Sequence, residues 1–153
     1  MRVRAARRDD FEAVTRLLES LGRPGTLGEP SETDRRAVYE EQIVDPDTHH
    51  IVVEDTAGIV AFCSLHFRTR LNWASQEAWI PDLIVSEDVR RAGIGRALLE
   101  EAERRARERG CHVLTLESGY QRAEAHHLYR TFRMRDHGKS FVKDLRPRPQ
   151  RRA

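Results

Sequence analysis

The sequence predicts an α+β fold of the α/β type: a mixed sheet of six to seven strands with helices on both faces. Three observations predict it. Apolar residues recur at helical spacing in four stretches and at strand spacing between them, in the order β-α-α-β-β-β-α-β-α-β-β. A helix separates the strand ending at Val85 from the one beginning at Cys111, so those two must run parallel, whereas the short turns at 56–58 and 72–75 require antiparallel neighbours. Finally, residues 82–99 join an apolar strand end to a glycine turn and a helix. In α/β sheets a ligand binds outside the carboxyl end of such a strand.

The elements follow in order. Residues 2–6 form a first strand, with Val3 and Ala5 on one face. Asp9 or Asp10 caps a helix bearing Phe11, Val14, Leu17, Leu18 and Leu21 at helical spacing, and Gly22 ends it. Residues 23–30 are a Gly/Pro loop. Ser31 opens a second helix, with Asp34 three residues on as a weak capping box, and this helix stops before Pro46. Strands at 49–55 and 59–70 form a hairpin, and 76–85 is a third antiparallel strand. The helix after Gly93 runs to Arg109 and buries Leu98, Leu99, Ala102 and Ala106. Its outer face carries Glu100–Arg104, Glu101–Arg105 and Glu103–Arg107, pairs worth about 0.2–0.5 kcal/mol each. Residues 111–117 form a parallel strand, 123–132 a helix, and 134–137 with 139–145 two closing strands around Gly138.

A chain of 153 residues fits one domain, assigned to 1–145, with 146–153 an Arg/Pro-rich tail expected to be disordered. Twenty-seven basic residues nearly balance 25 acidic ones, and the tail lacks interleaved aromatics, so no nucleic-acid partner is expected. No apolar run approaches about 18 residues, so no membrane partner is expected either. Cys63 and Cys111 lie far apart in no metal-like spacing. They read as reduced thiols of a cytoplasmic protein, and no metal site is expected. The first residues lack the apolar core of a secretion signal.

The chemistry centres on 82–99. Leu83, Ile84 and Val85 end in polar residues, and Arg90 and Arg91 precede Gly93 and Gly95 at the start of a helix. A helix N-terminus offers unpaired N–H groups and the positive end of the macrodipole, and glycines admit a ligand to that backbone. With two guanidinium groups this is a seat for a pyrophosphate. The alternative is an ordinary strand–turn–helix with solvated arginines. The stretch is no P-loop, since no Gly-Lys-Ser/Thr follows, and it lacks Gly-x-Gly-x-x-Gly.

Together with its surroundings, the stretch resembles the GCN5-related N-acetyltransferase (GNAT) superfamily. The resemblance rests on Asp82-Leu-Ile-Val85, Arg90-Arg-Ala-Gly-Ile-Gly95, Ala106-Arg-Glu-Arg-Gly-Cys111, Leu116-Glu-Ser-Gly119, Arg122, Ala125-His126 and Tyr129. The hairpin before it and Gly138-Lys-Ser-Phe-Val-Lys143 also fit, so it covers nearly the whole chain. It implies a GNAT acyl-CoA N-acyltransferase fold and an enzyme with acetyl-CoA as cosubstrate. The acetyl group would pass to a primary amine of a small molecule by direct attack in a ternary complex. The cofactor would contact Arg90, Arg91, Ala92, Gly93, Ile94, Gly95, Arg96 and Ala97 through its pyrophosphate, and Arg122 and His126 as well. Its pantetheine arm would pair with Leu83, Ile84 and Val85, and an amide near Ile84 would polarise the thioester carbonyl.

Tyr129 stands at the family's general-acid position. Candidates for the base are Glu77 and Asp82, acting through a water, and His66 and His126, acting directly. The acceptor pocket is expected between residues 23–39 and 71–79, where Glu29, Glu32, Trp73 and Trp79 could meet a cationic amine. The sequence departs from the family at Pro81, where relatives often carry glutamate, and at Arg133-Met134, where they carry Gly-Phe. These departures leave open a non-catalytic acyl-CoA-binding or regulatory module, and the resemblance, which extends to relatives that acetylate protein N-termini or lysines, leaves open a protein or peptide N-acetyltransferase. Family members often dimerise, so a homodimer is a candidate state.

Overall fold

The computed structural model describes residues 1–20, 31–90, 92–119 and 122–146. Its main elements are β1 (Arg2–Ala5), α1 (Phe11–Ser20), α2 (Glu32–Val44), β2 (Thr48–Asp55), β3 (Gly58–Arg70), β4 (Ser75–Val85), α3 (Ile94–Glu108), β5 (Val113–Leu116) and α4 (Ala123–Thr131). The strands lie in the order β1-β2-β3-β4-β5. Every pairing is antiparallel except β4–β5, which is parallel as the helical crossover requires.

Strand alternation divides the apolar side chains between two faces. Cys63, Leu65, Phe67, Ala78 and Ile80 pack with Leu98, Leu99, Ala102 and Ala106 of α3, the stripe read from the sequence. Val52, Phe62 and Ile84 face the other way, onto Phe11, Val14 and Leu17 of α1 and Tyr39 of α2. Fully burying one such aliphatic or aromatic side chain contributes about 1.5–3 kcal/mol. α2 begins as expected, with Ser31 Oγ accepting from the Asp34 N–H at 3.1 Å. Among the described residues no helix is long and apolar enough to cross a membrane.

Three details differ from the sequence reading. The sheet has five strands among the described residues, not six to seven, because 134–137 and 139–145 join no ladder there. Met134 packs against the α3-side core, but the apolar side chains further on are exposed: Phe141 and Leu145 are each 90% exposed. β5 starts at Val113 rather than at 111, because the Cys111 N–H closes the end of α3 on the Ala106 carbonyl at 2.9 Å. On α3, Glu101–Arg105 and Glu103–Arg107 form as expected, at 2.8 and 2.7 Å, but Glu100–Arg104 does not. Arg104 bridges Glu101 and Glu108 instead, and Glu100 accepts from Arg96 one turn earlier. Residues 147–153, most of the expected tail, lie outside the described residues.

Two helices end in the same way with different residues. After α3, Gly110 takes φ +75°, and the N–H groups of Gly110 and Cys111 bond back to Arg107 and Ala106. After α4, Arg133 takes φ +62°, and the N–H groups of Arg133 and Met134 bond back to Arg130 and Tyr129 at 2.9 Å each. Both are Schellman ends, whose left-handed residue is ordinarily glycine. Arg133 therefore preserves the chain path at the cost of backbone strain.

A buried ion pair ties β1 to the turn that leads into α1. The Arg4 side chain is 8% exposed and donates to Asp10 at 2.7 Å and to Glu54 at 3.1 Å. The Asp10 carboxylate also accepts the Arg7 N–H at 2.7 Å. The Arg4 hydrogen bond holds the Asp10 carboxyl below its ordinary value.

Two expectations follow from these contacts. Arg133→Gly should raise stability by about 0.5–1 kcal/mol, seen as a rise of a few degrees in Tm; an unchanged or lower Tm would contradict the strain. Asp10→Asn should cost up to about 3 kcal/mol at neutral pH, since one partner of a buried pair is lost. Because folding depresses the Asp10 pKa, its contribution is complete above the unfolded value of about 4 and disappears as pH falls through the lower folded value. Wild type and variant should therefore converge in urea midpoint as pH falls through the lowered folded value.

Candidate active site

The site is created by an irregularity in β4. Ser64 pairs with Asp82 and His66 with Trp79, so Leu65 of β3 stands opposite both Ile80 and Pro81. A bulge of this kind interrupts the ladder, and proline tolerates it because it has no N–H to place. The extra residue also switches the alternation. Ala78 and Ile80 point to the α3 face before the bulge, and Leu83 and Val85 do so after it. Ile84 points into the α1 core at 1% exposure.

The same irregularity ends the parallel pairing. β5 matches β4 only over Glu77–Ile80, against Val113–Leu116. From Asp82 to Val85, β4 remains paired with β3 alone among the described strands, and its other edge lies open. The Ser86 N–H donates to the Val60 carbonyl of β3 at 2.8 Å. Alternation then turns the amide of Ile84 toward β3 and the amides of Leu83 and Val85 toward the open edge. The expected donor near Ile84 is thus displaced by one residue. Pro81 was the sequence signal for the bulge that sets this parity.

Beyond the open edge the chain turns into α3. Gly93 takes φ +75° as the N-cap, and the first intrahelical bond runs from the Ala97 N–H to the Gly93 carbonyl at 3.0 Å. The N–H groups of Ile94, Gly95 and Arg96 therefore precede the first intrahelical donor and have no acceptor within the helix. Gly95 is needed for packing as well as for access. A Cβ there would lie 2.9 Å from Leu128 Cδ2 of α4 and 3.8 Å from Val85 Cγ2 of β4. Ala92 and Gly93 are exposed. Arg90 is partly exposed, 3.7 Å from Glu87, and Arg96 pairs with Glu100 and lies 5.5 Å from the Phe132 ring centroid. Arg91 lies outside the described residues.

α4 brings Tyr129 to this corner. Tyr129 is half-buried against the cluster that includes Leu83, Val85 and Leu128. His126 is half-buried three residues earlier, and Arg122 is exposed at the N-terminus of the helix. The structure thus gathers Tyr129, the β4 edge and the α3 N-terminus.

It does not bring Glu77 with them. Glu77 lies on the opposite sheet face, about 15 Å along β4 from Asp82, and is 7% exposed. Its carboxylate is held by Arg68 at 2.7 Å and Arg70 at 3.4 Å, the pairing a buried carboxylate requires. Of the expected acceptor residues, Trp79 faces this side, with its Nε1–H on Glu117 at 2.7 Å and the Arg68 guanidinium 4.4 Å from its ring centroid. Trp73 does not: it stacks on His112, just before β5, far from the open edge. Glu32 is exposed on α2, paired with Arg36, and Glu29 lies outside the described residues. A separate cleft is lined by Ala5, Ile43, Pro46, His49, His50 and Arg105, none of which belongs to this corner.

Comparison with known proteins agrees with this architecture. Residues 11–133 match the Acetyltransferase (GNAT) family, and the chain belongs to it. An aminoalkylphosphonate N-acetyltransferase of Salmonella typhimurium is 30% identical over 60% of this chain. The match spans 59% of that relative's own length, less than two thirds. An uncharacterized N-acetyltransferase of Chlorobaculum tepidum is 32% identical over 77% of this chain and 70% of its own. Among solved structures, a transcriptional regulator of Bacillus halodurans superposes with a TM-score of 0.83, covering 94% of this chain and 99% of its own at 24% identity. That likeness establishes the shared fold.

Gly95 supplies the test of this corner. Gly95→Val should cost about 1–3 kcal/mol by overpacking against Leu128, and Leu128→Ala should recover much of the loss in the double variant. Additive losses in denaturant melts would show that the two residues are not in contact.

Proposed function

We propose that the protein is an acetyl-CoA-dependent N-acetyltransferase that acetylates a primary amine of a small molecule by direct attack in a ternary complex. The observation that carries the reading is the open β4 edge running into the uncapped N-terminus of α3. A pantetheine arm has the amide spacing of a peptide and can pair with the Leu83 and Val85 backbone as an added strand would. A pyrophosphate fits the N–H groups of Ile94, Gly95 and Arg96, with Arg90, Ala92, Gly93 and Ala97 around it. Arg122, the N-cap of α4, and His126, within it, are assigned to the cofactor as well.

The chemistry then assigns itself by position. The bound thioester supplies an activated acetyl carbonyl. The Leu83 amide, aimed along the edge next to the bulge, stabilises the oxyanion that forms on it. The Tyr129 phenol, on the cofactor side, protonates the departing thiolate. The acceptor enters from the face that carries Asp82 and Trp79. The Salmonella relative makes aminoalkylphosphonates a natural first acceptor class to try.

Both departures that favoured a non-catalytic module have local accommodations. Pro81 sits in the bulge, and Arg133 adopts the left-handed conformation that glycine would. Cytoplasmic residence and a homodimeric state belong to the same proposal. Cys63 is consistent with a reducing compartment: it is a free thiol, pushed up to about 12 by burial and so unreactive.

Acetyl-CoA at saturating concentration should raise Tm by several degrees, since it binds only the folded state. No shift at millimolar acetyl-CoA would count against the reading. Tyr129→Phe should lower kcat by about 10²-fold while leaving that shift intact. Equal turnover by the variant, with thiol release measured across aminophosphonates, amino sugars, polyamines and peptides, would remove Tyr129 from the chemistry.

A further inference from the structure

We infer that His66 is the general base of this reaction, taking the proton from the acceptor's ammonium group on the α1 and α2 face of the sheet. The inference rests on the proposed acetyl transfer and assigns a step which that proposal leaves open. His66 belongs to β3, directly opposite Trp79 and one residue pair from the bulge. It points to the same face as Asp82, whose pairing partner Ser64 lies two residues before it. The His66 Nε2 and the Ser64 Oγ are 2.9 Å apart. With the proton on Nε2, Ser64 Oγ accepts it, and Nδ1 keeps the lone pair a base needs.

The alternatives are placed less well. Glu77 has its oxygens committed to Arg68 and Arg70. His126 belongs to α4, on the cofactor side of the sheet. His50 is 7% exposed and its Nε2 is engaged by Gln42 Oε1 at 2.8 Å. His66 alone combines partial exposure, an orienting hydrogen bond and proximity to the bulge among the described histidines of this face.

Its surroundings suit the role. Burial lowers the His66 pKa, so the ring is neutral near pH 7 and able to accept a proton. Asp45, after α2, and Asp82, on β4, oppose that shift and stabilise the imidazolium once formed. Arg68, on its own strand, acts with burial. From β2, His50 lies with its ring centroid 6.4 Å away. His50 is itself pushed down to about 4 by burial, so it adds no charge near neutral pH. Trp79 packs against it with its ring centroid 5.7 Å away.

The proton balance closes. The ammonium gives one proton to His66 Nδ1, which returns it to water. The neutral amine forms the C–N bond at the thioester carbonyl, and the C–S bond breaks. Tyr129 gives its proton to sulfur and regains one from the nitrogen. Amide, free thiol and one released proton are the products.

His66→Gln and His66→Ala test this, using whichever of 2-aminoethylphosphonate, ethanolamine, glucosamine 6-phosphate and spermidine the wild type turns over fastest. Both variants should keep the acetyl-CoA-induced Tm shift and lose about 10²-fold or more in kcat. In the wild type, the acid limb of kcat against pH should follow a histidine; in the variants it should move toward the pKa of the amine. Unchanged kcat, or a lower kcat with the wild-type pH profile, would overturn the assignment, because a merely structural role scales the profile without reshaping it. If the wild type binds no acetyl-CoA and releases no thiol with any amine, the acetyltransferase reading itself fails, and the base with it.

Discussion

The rest of the structure depends on the bulge at Ile80 and Pro81. It makes one strand do two things. Before the bulge β4 is an interior strand, paired on both sides; after it, β4 is paired with β3 and open toward the side that β5 has left. A regular strand would have carried the β5 ladder to its end and left no backbone for a ligand to pair with. The added residue also swaps the faces, so Leu83 and Val85 anchor the open segment in the α3 core while Ile84 anchors it in the α1 core. A strand held from both faces presents its free amides with little freedom to move, and preorganised donors stabilise developing charge for that reason.

Gly95 fixes the corner in the other direction. The side chains of Val85 and Leu128 approach it where any side chain would intrude, so the end of β4, the start of α3 and the middle of α4 meet at a single point. The glycine therefore does more than admit an anion to the helix N-terminus. It sets the distance between the open edge and the helix that carries Tyr129. The Schellman end one residue beyond Phe132 holds the Tyr129 carbonyl, so both ends of that helix segment are constrained.

The sheet separates the proposed reaction into two half-sites. The α3 face holds the cofactor corner and the phenol. The α1 face holds a polar strip through Ser64, His66, Trp79 and the Arg68–Glu77 pair. An acceptor ammonium must lose a proton before it attacks, and the leaving thiolate must gain one after. In the proposed reaction the two proton-handling side chains stand on opposite faces, which would keep them from neutralising each other and let the transfers run through the substrate.

The sequence by itself determined the element order through α4, the parallel crossover, the α3 stripe and the glycine turn, because each follows from periodicity or from a local backbone demand. It also placed Tyr129 with the turn, through the resemblance carried by residues 82–129. The tertiary structure alone decided the rest. Whether 134–145 joins the sheet depends on a partner edge that no local pattern encodes. Which β4 amides face outward depends on where an extra residue falls relative to β3, and shifting it by one residue exchanges Ile84 for Leu83. Glu77 looked available as a carboxylate in a strand, but Arg68 and Arg70 claim it from across the hairpin. Ser64 and His66, two residues apart on β3, face the same side of the sheet, and the bulge in the facing strand decides that Asp82 and Trp79 are their partners. Pairing across strands brings together residues far apart in sequence, and that is where the chemistry of this site resides.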